Sequence, residues 1–215
     1  MEDFYATDRV QFMHVPKLAI VILAAGESKR FGQPKQIVRF EGKTLLEKAI
    51  KTATSASLGS VFIVLGANAE TIISNTDLSC TEVVVNPNWQ LGIGSSLQAG
   101  LKKVIEKEPK TEGIIVMLCD QPLISSSLIK LLAETFISKS PLIVATEYLD
   151  TVGVPAIFSS SLFDEIFQMN PKTGAKSLIK KYEAQTEKVY APEAAFDIDT
   201  REDYESLLLL PKSGG

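Results

Sequence analysis

Short apolar runs recur along the chain at regular intervals, and polar or turn-forming residues bound each of them. Within these runs apolar residues follow one another without polar alternation, and many are β-branched. Such runs are typical of strands that are buried on both faces, as in a parallel sheet. The pattern predicts five strands: LAIVIL (Leu18–Leu23), SVFIVL (Ser60–Leu65), TEVVV (Thr81–Val85), GIIVML (Gly113–Leu118) and PLIVAT (Pro141–Thr146).

Amphipathic segments lie between these strands. Thr44–Glu47 has the pattern of a capping box and opens a helix that we expect to reach about Thr54. The segments Ser95–Lys107 and Ser125–Ile137 place leucines, isoleucines and other apolar residues at helical spacing. Strands and helices in this alternation form right-handed crossovers, so the sequence predicts an open α/β sheet.

The last third of the chain is less regular, and no internal repeat or low-complexity linker interrupts it. We expect one domain over residues 17–209, with flexible ends at residues 1–16 and 210–215. The elements predicted for the last third are a strand at Val154–Phe158, helices near Ser160–Met169 and Thr173–Tyr182, a strand at Lys188–Tyr190 and a helix after Asp199.

Composition narrows the classes of ligand. The 215 residues carry a net charge of −4, which argues against a nucleic-acid surface. Cys80 and Cys119 fit no metal or disulfide spacing, so we expect a reducing, cytoplasmic compartment. The acidic N-terminus lacks the apolar core of a signal peptide, and no apolar run approaches the ~20 residues of a membrane span. We therefore expect neither a nucleic acid nor a membrane as partner.

One loop, LAAGESKRFGQPK (Leu23–Lys35), combines two glycines with three cations after the first predicted strand. Five residues separate Gly26 from Gly32, and Gln33 follows. These spacings match neither the glycine fingerprint of dinucleotide-binding proteins nor that of P-loop proteins. The alternative to a ligand-binding loop is an ordinary turn whose cations lie on the surface.

The residues of this loop favour an anion as ligand. Ala24, Ala25 and Gly26 leave successive backbone amides unobstructed, which is the arrangement of an anion-binding concavity. Arg30 has the forked donors that fit two phosphate oxygens, and Lys35 supplies a compact charge. The sequence therefore predicts that the loop binds a phosphate group.

Acidic residues offer a metal site. Asp120 comes just after the predicted strand Gly113–Leu118, and Mg²⁺ prefers one or two carboxylates together with phosphate oxygens and waters. Capping of the next helix is the alternative role for Asp120, but Asp120 lies five residues too early for it. If Phe196–Ile198 is extended, Asp197 and Asp199 point the same way. Asp199 alternatively caps the last helix, with Glu202 completing a capping box.

Together, these motifs resemble a known family. LAAGESKRFGQPK is similar to the signature of the Rossmann-like nucleotidyltransferases, and more narrowly to that of the molybdenum cofactor cytidylyltransferase group. NPNWQLGIGSSLQAGL, MLCDQPLIS and GVPAIF followed by TGAKSL support the narrower resemblance, which spans Leu18 to Tyr204. The resemblance implies a three-layer, open and mostly parallel sheet of the nucleotide-diphospho-sugar transferase type. It also implies a nucleotide-binding half, about residues 17–122, and an acceptor-binding half, about 123–209.

The resemblance assigns roles in the nucleotide half. Arg30, Lys35 and Asp120 are the catalytic residues, and Asp120 binds Mg²⁺, for which Mn²⁺ is a substitute. Asp197 is the favoured second metal ligand, with Asp199 left open. Ser95 is open to a second interpretation as a helix cap, and Trp89 is expected to act in the core or as a lid. The nucleotide-binding residues are Leu23, Ala24, Ala25, Gly26, Arg30, Lys35, Gly66, Gly94, Ser95 and Ser96.

In the other half, the resemblance implies that Gly153, Pro155, Gly174 and Lys176 bind the acceptor. From the residues alone, Lys176 lies in the first turn of a predicted helix, which indicates a second anion site there. Many relatives carry histidine where this chain has Val154, so no acceptor contact through that side chain is expected.

The implied function is a CTP:molybdopterin cytidylyltransferase, in which the acceptor phosphate attacks the α-phosphorus of CTP and pyrophosphate leaves. The absence of a convincing nucleophile–base pair agrees with a reaction driven by positioning and electrostatics. Ala25 and GQPK resemble the cytidylyl branch. The alternatives are a GTP-dependent guanylyltransferase, a transferase acting on a sugar or alcohol phosphate, and a non-catalytic carrier of the cofactor. The partners would be CTP or GTP, molybdopterin, and a molybdoenzyme or its maturation chaperone.

Overall fold

The computed structural model describes residues 14–210. Its strands are β1 (Leu18–Ala24), β2 (Arg39–Phe40), β3 (Lys43–Thr44), β4 (Val61–Leu65), β5 (Glu82–Val85), β6 (Gly113–Leu118), β7 (Ile143–Tyr148), β8 (Thr151–Ser159) and β9 (Thr186–Tyr190). Its helices are α1 (Leu45–Ala56), α2 (Ala69–Ser74), α3 (Ile93–Lys107), α4 (Ser126–Lys139), α5 (Phe163–Gln168), α6 (Ala175–Lys181) and α7 (Arg201–Leu208). Each predicted strand is present, with ends displaced by at most three residues.

Seven strands form one sheet in the order β5-β4-β1-β6-β8-β7-β9, and β2 pairs with β3 in a separate small hairpin. The four strands from β5 to β6 are parallel to one another, and β9 is parallel to β7. Only β8 runs against both of its neighbours. The predicted open, mostly parallel α/β sheet is confirmed, and its antiparallel strand lies in the last third of the chain.

Helices cover both faces of the sheet, which gives the predicted three layers. One apolar cluster packs α1, α2 and α4 against one face, and a second packs α3, α5 and α6 against the other. The strands between them are buried because side chains on both of their faces enter these clusters. A third, smaller cluster joins the loop after β1 to α7 and contains Phe31, Val38, Leu45, Ile198 and Leu207.

Helix caps decide two alternatives that the sequence left open. The capping box of Thr44 and Glu47 opens α1 as predicted, and Ser125 caps α4 by accepting a hydrogen bond from Leu128 N. Asp120 therefore does not cap α4. At α7, Thr200 is the cap and Asp203 completes the box, so the interpretation of Asp199 as the cap is wrong by one residue.

The predicted flexible ends lie mostly outside the described residues. Of the predicted N-terminal extension, residues 14–16 are described, and His14 Nε2 lies 2.7 Å from a carboxylate oxygen of Glu112. Within the described part of the chain, no helix is both long and apolar enough to cross a lipid bilayer.

Candidate active site

The strand order of the sheet reverses between β1 and β6. From β1 the chain adds β4 and β5 on one side, and it then returns to add β6 on the other side of β1. Open α/β sheets bind ligands beyond the carboxyl ends of strands at such a switch point. A cavity of about 340 Å³ opens there. Its walls come from the loop after β1, from the segment that leads into α3 and from the end of β6; they include Leu23, Ala24, Ala25, Gly26, Ser96 and Asp120.

A buried glutamine fixes the shape of the loop. The side chain of Gln36 is almost fully enclosed, and its amide donates hydrogen bonds to Ala24 O at 2.9 Å and to Gly26 O at 2.8 Å. The hydroxyl of Ser28 accepts a hydrogen bond from Lys35 N at 3.2 Å. The loop is therefore held from within by its own polar groups. Sequence reasoning missed Gln36, although it lies next to Lys35 of the motif.

Two cations of the loop meet two carboxylates. Lys35 Nζ donates to Asp120 Oδ2 at 2.6 Å and to Asp199 Oδ1 at 2.8 Å. Arg30 Nη2 donates to Asp199 Oδ2 at 2.7 Å on the outer rim of the site. Burial alone would lower the pKa of Lys35, but the two carboxylates outweigh burial and raise it. The hydrogen bond from Lys35, aided by Arg30, lowers the pKa of Asp199. Lys35 and Asp199 are thus charged at neutral pH.

The segment with Asp197 and Asp199 is anchored to the end of β6. Ile198 N donates a hydrogen bond to Asp120 O at 2.9 Å, and Ile198 itself is buried. Although Asp197 as a residue is exposed, partial desolvation of its carboxyl and repulsion from Asp120 raise its pKa to about 6. The structure therefore places the segment of Asp197 and Asp199 beside Asp120, with Lys35 bridging Asp120 and Asp199.

The carboxylates near Lys35 include a candidate ligand of a divalent cation. Asp120 Oδ1 is buried and has no hydrogen-bond partner in the described part of the chain, which is costly unless another ligand satisfies it. Across residues 14–210, no three acidic, histidine or cysteine side chains come close enough to enclose a metal by themselves. Mg²⁺ does not require such a cage, because it commonly uses one or two carboxylates with substrate phosphates and waters. Asp120 with Asp197 fits that mode.

The two serines that open α3 have different roles. Ser95 Oγ donates toward Gly92 O at 2.7 Å and Asn88 O at 2.9 Å, so its hydroxyl serves the local fold and does not line the cavity. Ser96 lines the cavity, and its Oγ accepts a hydrogen bond from Asn86 Nδ2 at 3.1 Å. Asn86, which is buried and orients both serines, was missed from the sequence.

Two predicted glycines act through close packing and do not line the cavity. A Cβ on Gly66 would lie 2.5 Å from Trp89 Cβ, so the absence of a side chain lets Trp89 cover the cavity. A Cβ on Gly94 would lie 2.2 Å from Thr173 O, where the acceptor half crosses the start of α3. The amide of Ser95 bonds to Pro171 O at 3.3 Å, so a backbone carbonyl caps this helix end.

On the acceptor side, the structure brings together Gly153 and Lys176. A Cβ on Gly153 would lie 2.6 Å from Tyr148 Oη and 3.3 Å from Lys176 Cε, so glycine makes room for both side chains. Tyr148, which sequence reasoning missed, is nearly buried; burial and the charge of Asp197 raise its pKa. This places Tyr148 within the electrostatic reach of the carboxylates.

The other two predicted acceptor residues have supporting positions. Pro155 is buried, follows a cis peptide bond, and its carbonyl accepts a hydrogen bond from Thr146 Oγ1 at 2.6 Å. A Cβ on Gly174 would lie 2.8 Å from Ile93 Cγ2 of α3. Helix α6 has seven residues, Gly174 is its N-cap, and the anion site expected at its start stays a prediction. Lys176 lies in its first turn and contacts β8.

A second glutamine connects the two halves. The side chain of Gln121, directly after Asp120, donates to Val154 O at 3.3 Å and to Ala194 O at 3.0 Å. It is buried, and sequence reasoning missed it. The end of β6 is therefore bonded to the acceptor strand β8 through the neighbour of the predicted metal ligand.

With this geometry in place, comparisons with known proteins identify the family. Residues 20–187 match the family described as the MobA-like NTP transferase domain. The chain is 28% identical to the purine catabolism protein PucB of Bacillus subtilis, over 90% of this chain and 97% of that protein. It is 39% identical to nicotine blue oxidoreductase of Paenarthrobacter nicotinovorans, and 33% identical to a probable molybdenum cofactor guanylyltransferase of a Geobacillus strain. The matches cover 50% and 49% of this chain, and about half the length of those two relatives, 52% and 51%.

A solved structure shares the fold and contains a divalent metal. The manganese complex of Rv0371c from Mycobacterium tuberculosis is 27% identical, with a TM-score of 0.73 over 89% of this chain and 98% of that one. The matched family is described as transferases that act on nucleoside triphosphates. The chain belongs to the MobA-like NTP transferase family.

Proposed function

We propose that this chain transfers CMP from CTP to the terminal phosphate of molybdopterin and releases pyrophosphate. One observation carries the proposal: Lys35 Nζ lies 2.6 Å from Asp120 at the mouth of a cavity walled by Ala24, Ala25 and Gly26. A cation, a carboxylate and a run of small residues at one strand end form a site for a metal-bound triphosphate. Lys176 and Tyr148 offer polar groups to the acceptor on the other side of Asp197.

The reaction needs no covalent intermediate. His14 pairs with Glu112 away from the cavity, and burial raises the pKa of the Cys119 thiol, so neither acts as a nucleophile. An oxygen of the acceptor phosphate, already anionic, forms a bond to the α-phosphorus of CTP. The bond between this phosphorus and the oxygen bridging to the β-phosphate breaks, and the electron pair leaves with pyrophosphate.

Residues of the chain position the reactants and offset charge. The amides of the loop and Lys35 bind the β- and γ-phosphates, and Arg30 closes the outer rim of the site. Asp120 and Asp197 would hold Mg²⁺, which offsets negative charge on the phosphates when bound. The cavity, which Trp89 partly covers, keeps the nucleotide aligned with the acceptor.

The choice of CTP depends on Ala25 and on the motif resemblance. Ala25 is nearly buried and lines the cavity. Its methyl group makes the cavity narrower at a position where the guanylyl branch more often carries glycine. The GTP-dependent guanylyltransferase is the second candidate, and the guanylyltransferase relative favours it. The sugar or alcohol phosphate transferase and the non-catalytic carrier have no observation specific to them. The reaction product would go to a molybdoenzyme or its maturation chaperone.

Pyrophosphate release tests the proposal. The protein is incubated with Mg²⁺, molybdopterin and each of the four nucleoside triphosphates in turn. We expect the highest rate with CTP, and we expect Ala25→Gly to raise the rate with GTP relative to CTP. A preference of the unmodified protein for GTP would contradict the cytidylyl assignment. Tight binding of molybdopterin without pyrophosphate release from any nucleotide would favour the carrier.

A further inference from the structure

Asp199 contacts both cations that the proposed function assigns to phosphate binding. One of its carboxylate oxygens accepts a hydrogen bond from Lys35 at 2.8 Å, and the other accepts one from Arg30 at 2.7 Å. No step of the proposed transfer uses these contacts. They instead occupy the donors that a triphosphate needs.

The position of Asp199 is built into the fold. Its backbone amide donates to Asp203 Oδ2 at 3.0 Å, and Asp203 belongs to the capping box of α7. The neighbouring Ile198 is buried in the small apolar cluster with Phe31 of the loop. Arg201 Nε also donates toward Phe31 O at 3.4 Å. Helix α7 therefore presents a fixed carboxylate to the phosphate-binding loop.

A fixed carboxylate beside two cations has opposing effects on nucleotide binding. It keeps the cations ordered while no ligand is bound, because each side chain has a charge-assisted hydrogen bond. It also competes with the incoming phosphates for the same donors and repels their negative charge. The triphosphate has more negative charge than one carboxylate, so it displaces the pairing at a cost in affinity.

We propose that Asp199 is a positioning residue that holds Arg30 and Lys35 in the nucleotide-free protein and releases them to the triphosphate. This role rests on one part of the proposed function, namely that the loop binds a triphosphate. It requires neither a particular base nor a particular acceptor. Asp197 keeps the separate role of metal ligand.

Binding without metal tests this role. The dissociation constants of CTP and of inorganic tripolyphosphate are measured by calorimetry in EDTA for the unmodified protein and Asp199→Asn. The variant removes the competing charge, so we expect both ligands to bind about 3- to 10-fold more tightly, the range for one or two partly exposed ion pairs. Asp199→Glu, which keeps the charge, should retain the original affinity. Equal or weaker binding by Asp199→Asn would overturn the proposal.

Asp197→Asn is the matched control, because it removes a neighbouring charge that touches neither cation. We expect the logarithm of the affinity to rise by well under half as much as it does for Asp199→Asn. We also expect weaker Mn²⁺ binding, measured by electron paramagnetic resonance. An equal gain in affinity from both variants would show that the effect comes from the overall negative charge around the site, and it would overturn the proposal. Asp199→Ser provides the same test if Asp199→Asn does not fold. The binding of tripolyphosphate is measured without any transfer reaction. If the protein fails to transfer CMP, the role of Asp199 can therefore still be tested.

Discussion

The two predicted halves of the molecule hold their functional residues in different ways. In the nucleotide half, the strands β5, β4, β1 and β6 are parallel, β1 and β6 end at the cavity, and side chains such as Gln36 and Asn86 fix the loops around it with several hydrogen bonds. In the acceptor half, the strands β8 and β7 are antiparallel, and α5 and α6 are only six and seven residues long. There, Gly153 and Gly174 act by leaving space.

We relate this difference to the ligand that we propose for each half. A triphosphate has a constant shape and high charge, so a preformed set of amides, cations and carboxylates suits every member of the substrate class. On the predicted acceptor side, glycines leave space, and a neighbouring cavity is lined by charged side chains that include Lys176, Lys180 and Asp150. We therefore expect substitutions in the phosphate-binding loop and at the carboxylates near it to affect catalysis strongly, and a substitution of Lys176 to affect mainly the binding of the acceptor.

The largest effect is expected from Asp120→Asn. The amide keeps the shape of the side chain but loses the charge that pairs with Lys35 and would bind the metal. We expect the turnover rate to fall roughly 100- to 1,000-fold, which is the size of a lost electrostatic contact in a transition state. Pyrophosphate release measures the rate, and circular dichroism checks that the fold is retained. Turnover within tenfold of the original would contradict the assignment of Asp120.

A smaller effect, on stability, is expected where the halves meet. Gly94→Ala places a Cβ 2.2 Å from Thr173 O, so the segment that crosses α3 has to move. We expect a loss of about 1–3 kcal/mol in the free energy of unfolding, measured by urea denaturation. Gly26→Ala is the control, because its Cβ would meet nothing within 4 Å. Equal stability of the two variants would mean that the halves are not in contact here.

Gln36→Ala tests the internal support of the loop. The carbonyls of Ala24 and Gly26 lose their partner, and leaving buried acceptors unpaired costs about 1–3 kcal/mol. We expect part of this cost to appear as a rise in KM for the nucleotide, since the loop amides lose their alignment. Gln90→Ala, at an exposed position of the same cavity, should change neither stability nor KM. An unchanged KM for Gln36→Ala would show that the loop keeps its shape without it.

The smallest effect is expected from Lys176→Gln in the acceptor half. A single, partly exposed charge contributes about 1 kcal/mol or less, so KM for the acceptor should rise a few-fold. The dissociation constant of the nucleotide should stay the same. Lys130→Gln, at an exposed position of α4, is the control for a general change of charge. A change in nucleotide affinity would break the division of labour between the halves.

The two halves also differ in how far the sequence predicted them. The strand ends after Leu23 and Leu118 were predictable because apolar runs stop there, and the loop motif with Asp120 follows directly. The sequence did not predict the supporting roles of Gln36, Asn86 and Gln121. An isolated polar residue does not reveal that its hydrogen-bond partners lie elsewhere in the fold.

The helix starts in the site region were the least certain. Both Asp199 and Thr200 are good caps by residue type, and only the bonds with Asp203 distinguish them. Ser95 had a similar ambiguity, which its bonds to Gly92 and Asn88 resolve in favour of a local role. In the acceptor half, spacing alone did not show that α6 is short or that Tyr148 adjoins Lys176, because both depend on the β7–β8 hairpin.

Mass spectrometry of the reaction product tests the central claim most directly. The protein is incubated with molybdopterin, Mg²⁺ and an equal mixture of the four nucleoside triphosphates, so that the bases compete for one site. We predict a product heavier than molybdopterin by one CMP unit less water, formed in equal amount with pyrophosphate and absent in EDTA. A product that carries GMP instead, or release of inorganic phosphate with no nucleotide attached to the acceptor, would contradict the account.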